Sequence, residues 1–232
     1  MPLNSAMTVR ELVANYPHAV AILEKSGVEY CCKGDRPLQH ACTEAGIDAG
    51  TLLQEIENAW RQPGQTRDWN AAPLGELIAH IVKDYHEPAR ADLERIMPLA
   101  NRVAQVHAER HPELLDVVGE FTQLRGEFTM HMRKEELMLF PWIERFEARA
   151  EEPPFGSFKN PISAMIAEHG VSGDELERLR QLTNGYEPPE DACNSYHALY
   201  ASLRQFEAEM HHHIHLENNI LFPRAIAMET QS

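Results

Sequence analysis

Residues His131-Met-Arg-Lys-Glu135-Glu-Leu-Met-Leu-Phe-Pro141 constrain this chain more than any other stretch, because the pattern occurs twice. The second copy is His213-Ile-His-Leu-Glu217-Asn-Asn-Ile-Leu-Phe-Pro223. In each, a His precedes a Glu by four residues, and the Pro of a Leu-Phe-Pro tripeptide follows six residues later. On an α-helix four residues turn about 400° and rise about 6 Å, so the His and Glu share a face, one turn apart. An imidazole and a carboxylate so placed can reach one metal ion or two adjacent ones.

The repeat extends beyond the motifs. His86 lies 45 residues before His131, and His169 lies 44 before His213. The chain therefore reads as two helix hairpins in tandem, each with a lone His on its first helix and a His-x-x-x-Glu pair on its second. Pseudo-two-fold packing of the hairpins would bring six groups into one core: His86, His131, Glu135, His169, His213 and Glu217. A single His-x-x-x-Glu is ordinarily a surface pair contributing a few tenths of a kcal/mol. Here Met138 and Trp142 fall in phase with Glu135, and Ile220 with Glu217, so these faces are expected to point inward. Buried carboxylates need a partner, and divalent cations would supply one. The simplest division gives two imidazoles to each of two metals, with both carboxylates bridging. Nitrogen and oxygen ligands of this kind suit iron or manganese, and less specifically zinc. Such a set leaves each metal short of six ligands, with room for O2 or NO. The ferritin-like alternative, Glu-x-x-His on two helices with a lone Glu on the others, does not match. Glu209-Met-His-His212 has no second copy, and the lone ligands here are His.

The 232 residues suffice for a large domain with a small companion. Four long helical segments are expected, about 73–109, 112–149, 161–184 and 190–228, joined by short connections rich in Pro and Gly. They predict an all-α, antiparallel up-down four-helix bundle over 73–232. Kinks are expected at Pro88 and Pro98, and bends at the Pro of each Leu-Phe-Pro. Residues 63–72 read as a linker, and 1–62 as a small helical domain. In that domain Thr8-Val-Arg-Glu11 is a capping box opening one helix that runs to Ser26-Gly27. Pro37 starts a second helix, and Asp48 caps a third.

The net charge of −15 repels phosphate backbones, so nucleic acid is not expected as a partner. No stretch is long and apolar enough to span a membrane, and the N-terminus lacks a secretory pattern, so the cytoplasm is the expected compartment. There Cys31, Cys32, Cys42 and Cys193 stay thiols. Cys31-Cys32 reads either as an ordinary loop pair or as an exposed redox or transfer site near a turn. His211 and His215 lie opposite the His213 face and are expected in solvent. Glu168 is expected to be a solvated charge. His107 is the best of the remaining histidines for supporting a ligand from behind.

The paired His-x-x-x-Glu…Leu-Phe-Pro motifs with their preceding histidines resemble the hemerythrin-like cation-binding domain. Tyr30-Cys-Cys-Lys-Gly34 followed by Leu38-Gln-His-Ala-Cys42 resembles the small double-cysteine domain fused to it in the repair-of-iron-centres family. The resemblance covers essentially the whole chain. It implies two iron ions in a non-haem centre bridged by two carboxylates and an oxo group, with the six residues above as ligands. It implies a cytoplasmic stress protein that restores iron–sulfur clusters damaged by nitric oxide or oxidation, through iron supply or NO handling. The implied partners are damaged iron–sulfur proteins and small ligands such as NO or O2, with the chain a monomer or homodimer. An NO-reducing or NO-transferring activity is compatible with the same centre. The alternative is a protein that binds NO, scavenging or sensing it, without turnover.

Overall fold

The computed structural model describes residues 3–16, 18–31, 33–60, 67–149 and 153–229. Among them the ordered elements are helical, and the only extended pairing is an isolated bridge between Thr8 and Pro37. The all-α expectation holds. The chain divides into two compact units, Met1–Leu77 with His211–Ser232, and Ile78–Met210.

In the first unit, α1 (Val9–Asn15) opens on the expected capping box. Thr8 Oγ1 accepts the Glu11 N–H at 3.1 Å, and the Glu11 carboxylate accepts the Thr8 N–H at 2.8 Å. Two orphan donors are satisfied at once. The single helix expected from Thr8 to Ser26 is instead two, because α1 stops at Tyr16 (φ −132°, ψ 76°) and α2 spans Ala19–Lys25. Tyr16 precedes a proline in the sequence, and that position is pushed out of the α region. The next helix, α3 (Leu38–Glu44), starts behind Pro37 as expected. Ahead of α4 (Ala49–Trp60), Asp48 accepts the Thr51 N–H at 2.8 Å. Val9, Leu12, Leu23, Leu38 and Ile56 are wholly buried in a small core. The chain then enters α5 (Leu74–Ile81), which passes into the second unit at residue 78.

The second unit has four long helical runs. They are α6 (Glu87–His107); α7 (Glu113–Lys134) continued by α8 (Phe140–Glu147); α9 (Lys159–Leu182); and α10 (Asn194–Leu216), which runs on past residue 210. Short connections leave them an antiparallel up-down bundle. Phe121 and Phe206 meet edge to face at 5.8 Å in its core. Truncating Phe121, which is fully buried, would cost about 3–5 kcal/mol. The last helix, α11 (Phe222–Glu229), belongs to the first unit.

The prolines act differently from the simple bends expected. A five-residue π-helical turn precedes each of Pro88, Pro141 and Pro223: Val82–His86, Glu135–Leu139 and Glu217–Leu221. The N–H of the residue before each proline, Glu87, Phe140 or Phe222, bonds the carbonyl five residues back. Pro88 and Pro141 thus stand in the first turn of a fresh α-helix, where a missing N–H is harmless. Each π-turn carries one extra residue and so rotates the next helix by roughly 100°. That explains why Met138, expected inward, is 61 % exposed, while Leu139 and Phe140 take the buried face. Pro98 lies within α6, which continues through it.

Candidate metal centre

Within the second unit, four of the six candidate ligands lie together. His86 closes the first π-turn, His131 lies in the last turn of α7, Glu135 opens the second π-turn, and His169 lies midway along α9. His86, Glu135 and His169 are completely buried, and His131 is 2 % exposed. Glu135 Oε2 is 3.3 Å from His131 Nε2 and 3.6 Å from His86 Nε2. His131 Nε2 and His169 Nε2 face one another at 2.8 Å.

The outer ring nitrogens fix the tautomers. His86 Nδ1 is 2.6 Å from Glu136 Oε1, and His131 Nδ1 is 2.9 Å from Glu168 Oε2. An ionised carboxylate only accepts, so each Nδ1 carries the proton and each Nε2 presents a lone pair inward. Burial pushes both supporting carboxyls up, but hydrogen bonds from His86 and Arg90 to Glu136, and from Lys134 and His131 to Glu168, bring them below the usual range. Carboxylates that orient imidazoles from behind are the usual support of metal-ligating histidines. Glu168 is therefore not the solvated charge expected, since it anchors His131. The sequence reading also missed Glu136. Each of these residues adjoins a candidate ligand, which is the one local clue. Their hydrogen bonds join helices 50 and 37 residues apart, out of reach of any local pattern.

These residues fit a cation. Neither oxygen of the buried Glu135 carboxylate has a hydrogen-bond partner. An uncompensated carboxylate in an apolar interior costs several kcal/mol. The groups facing it are imidazole lone pairs, which repel it unless a proton or a metal lies between. Bound there, an iron or manganese ion would supply Lewis acidity and an open position for a small ligand.

In the first unit, His213 and Glu217 are both buried, and His213 Nε2 is 3.0 Å from Glu217 Oε1. The helical spacing read from the sequence places them on one face, at the end of α10 and the start of the third π-turn. His215 is not in solvent as expected. It is 4 % exposed and bonded to Asn219 Nδ2 at 3.0 Å. Burial, aided by His212, pushes its pKa down to about 3. Cys31, expected to be exposed, is buried. Its N–H donates to Glu29 Oε1 at 2.7 Å and its carbonyl accepts from Asn218 at 3.1 Å. Cys32 lies outside the described residues. His107 supports no ligand in this unit, because its ring faces Cys193.

A helical bundle that collects buried imidazoles about a bare carboxylate defines a cation-binding protein. Residues 77–225 match the hemerythrin HHE cation-binding domain, and the chain belongs to that family. Residues 5–60 match a separate domain of unknown function, DUF542. The chain is similar over nearly its whole length to relatives named iron-sulfur cluster repair protein YtfE. The Dickeya chrysanthemi relative is 34 % identical over 219 residues, covering 94 % of this chain and 96 % of its own. The Pectobacterium atrosepticum relative is 35 % identical over 220 residues, with the same coverage. The Yersinia pseudotuberculosis relative is 36 % identical over 214 residues, covering 92 % and 93 %.

Proposed function

We propose that this chain holds two iron ions and uses them to repair iron–sulfur clusters damaged by nitric oxide or oxidation. In this reading His86, His131, Glu135, His169, His213 and Glu217 would hold the two ions, two imidazoles to each. Glu135 and Glu217 are shared. In support, all six residues are buried; His86, His131, Glu135 and His169 lie together in the second unit, and His213 and Glu217 share a face in the first. The observation that carries the reading is the Glu135 carboxylate, buried, facing imidazole lone pairs and lacking any proton donor. The names of the relatives supply the physiological direction, cluster repair.

The roles divide by residue. Glu136 and Glu168 hold His86 and His131 with their lone pairs inward, and Arg90 and Lys134 keep those carboxylates ionised. Glu135 and Glu217 balance the ions' charge. Held by these residues, iron would supply an open position for a small ligand and a store of metal for a damaged cluster. We place this work in the cytoplasm; no helix among the described residues is long and apolar enough to cross a membrane.

The test is reactivation of a nitric-oxide-damaged cluster enzyme by the purified iron-loaded protein. Wild type is expected to restore activity and Glu135→Leu to fail, with iron content lost in parallel. Restoration by an iron-free Glu135→Leu protein would remove the centre from the mechanism. Repeated conversion of NO to N2O by reduced protein would assign turnover, and a single saturating nitrosyl spectrum without N2O would assign binding.

A further inference from the structure

At the end of the bundle remote from the histidine cluster, a thiol and an imidazole are held face to face. His107 is the last residue of α6, and His86 immediately precedes that helix. The two are about 30 Å apart along the axis at 1.5 Å per residue. His107 is 6 % exposed. Its Nε2 stands 3.2 Å from Cys193 Sγ, and its Nδ1 has no hydrogen-bond partner. Cys193 is exposed, so the pair combines a buried base with an accessible nucleophile.

The surrounding residues fix this encounter. Asp191, two residues before Cys193, accepts from His111 Nε2 at 2.9 Å and pairs with Arg110 at 2.8 Å. Both partners lie in the turn just after His107. The stretch of chain carrying Cys193 is thereby pinned to the turn carrying His107. Tyr196 packs edge-on against both rings, 5.4 Å from His107 and 5.7 Å from His111. Cys193 also immediately precedes α10, and its carbonyl accepts the His197 N–H at 3.1 Å.

We infer that Cys193, with His107 as its base, is a site of thiol–disulfide exchange with low-molecular-weight disulfides. It is independent of the metal centre. Sγ attacks one sulfur of the disulfide R–S–S–R. The Cys193 S–H bond breaks and its proton passes to His107 Nε2. A new S–S bond forms between Cys193 and one R–S group, and the R–S–S–R bond breaks. The departing thiolate takes the proton from His107 as R–SH. Atoms and electrons balance without any further oxidant. The product is a reversible mixed disulfide on the bundle surface.

The experiment exposes the full-length reduced protein to oxidised glutathione near neutral pH and follows each cysteine by peptide mass spectrometry. The reference is a synthetic peptide of residues 188–198, which carries Cys193 without His107. Cys193 in the protein is expected to form the mixed disulfide at least about tenfold faster than the peptide, a threshold set below the roughly 100-fold that a positioned base typically supplies at the least. His107→Phe, which keeps a ring in the buried slot, is expected to bring the rate down to that of the peptide. Asp191→Ala, a change at the surface, is expected to lower it several-fold by loosening the pinned segment. Circular dichroism checks that both variants stay folded. Should His107→Phe fail to fold, the peptide comparison and Asp191→Ala decide. A wild-type rate within about twofold of the peptide, or a rate that a folded His107→Phe leaves unchanged, overturns the inference.

Discussion

In the first copy of the repeated motif, Leu137 and Met138 are 68 % and 61 % exposed; in the second, the matching Asn219 and Ile220 are 5 % and 4 % exposed. The two turns have the same π-helical start at a Glu and the same Leu-Phe-Pro exit. What differs is the cover. Asn218 and Asn219 donate to the carbonyls of Cys31 and Tyr30, both at 3.1 Å, so the Tyr30–Cys31 segment lies over the second copy. Gly34 comes so close that a Cβ there would meet Asn219 Oδ1 at 3.2 Å. One duplicated element has thus served two ends. Both copies keep the buried Glu proposed as a ligand, while the residues after it become a surface in one and a docking face in the other.

The largest effect tests what the copies share. If Glu135 and Glu217 each bridge, Glu135→Leu and Glu217→Leu should both empty the centre of iron, measured by metal analysis of protein purified in parallel. Loss of only half the iron in either variant would break the equivalence and make that carboxylate a ligand to one ion alone. Next comes the cover. Ile220→Ala should cost about 3 kcal/mol of stability in denaturant unfolding, since it opens a cavity. Met138→Ala at the matching position should stay within about 0.5 kcal/mol. Asn219→Ala should cost about 2 kcal/mol, because the Tyr30 carbonyl loses its donor. Equal losses at Ile220 and Met138 would mean that the first copy is covered too.

Much of this was legible in the chain. The spacing of His131 from Glu135 and of His213 from Glu217, read against helical geometry, places each pair on one face, and the recurrence made chance unattractive. The all-α bundle followed from four amphipathic segments with short breaks. The phase after each Glu was not legible. A π-turn is a one-residue difference in hydrogen bonding, and a reading at 3.6 residues per turn put Met138 where Leu139 lies. His215 was misplaced for another reason. Its face looks polar because it meets Tyr30 and Asn219, groups brought together by tertiary structure. The Asn-Asn pair that marks the covered copy has meaning only once the carbonyls of Tyr30 and Cys31 are in place.

A buried acid outside both motifs sharpens the contrast with Glu135. Glu175 on α9 is fully buried, and burial, with Glu127 and Glu120 nearby, pushes its pKa up to about 7. Glu207 on α10 is as deeply placed, but Arg180 offsets it through two bonds of 3.1 and 2.6 Å. Because the folded-state pKa of Glu175 is raised, the native protein keeps a proton that the unfolded chain has lost. Stability should therefore fall as pH rises from the ordinary Glu value toward 7, and level off above it. Glu175→Gln should abolish that slope and exceed wild type by about 2 kcal/mol at pH 8 in urea unfolding. A variant that keeps the wild-type slope would place the pH dependence elsewhere.

The smallest effect lies at the residue directly after each Glu proposed as a ligand. In the first copy that residue is Glu136, which orients His86 and is held by Arg90. In the second it is Asn218, which donates to the Cys31 carbonyl. Exchanging them asks whether one position has been divided between two tasks. Glu136→Asn should leave the fold intact and weaken iron binding about tenfold, or about 1.4 kcal/mol, because His86 loses the carboxylate that fixes its tautomer. Competition with a chromophoric chelator measures it. Asn218→Glu should instead free the Cys31 segment, since a carboxylate facing a carbonyl repels it, and a thiol probe should reach the now-buried Cys31 sooner. An Asn218→Glu protein that weakens iron but leaves Cys31 protected would show that both positions serve the metal, and the division of labour between the copies would be wrong.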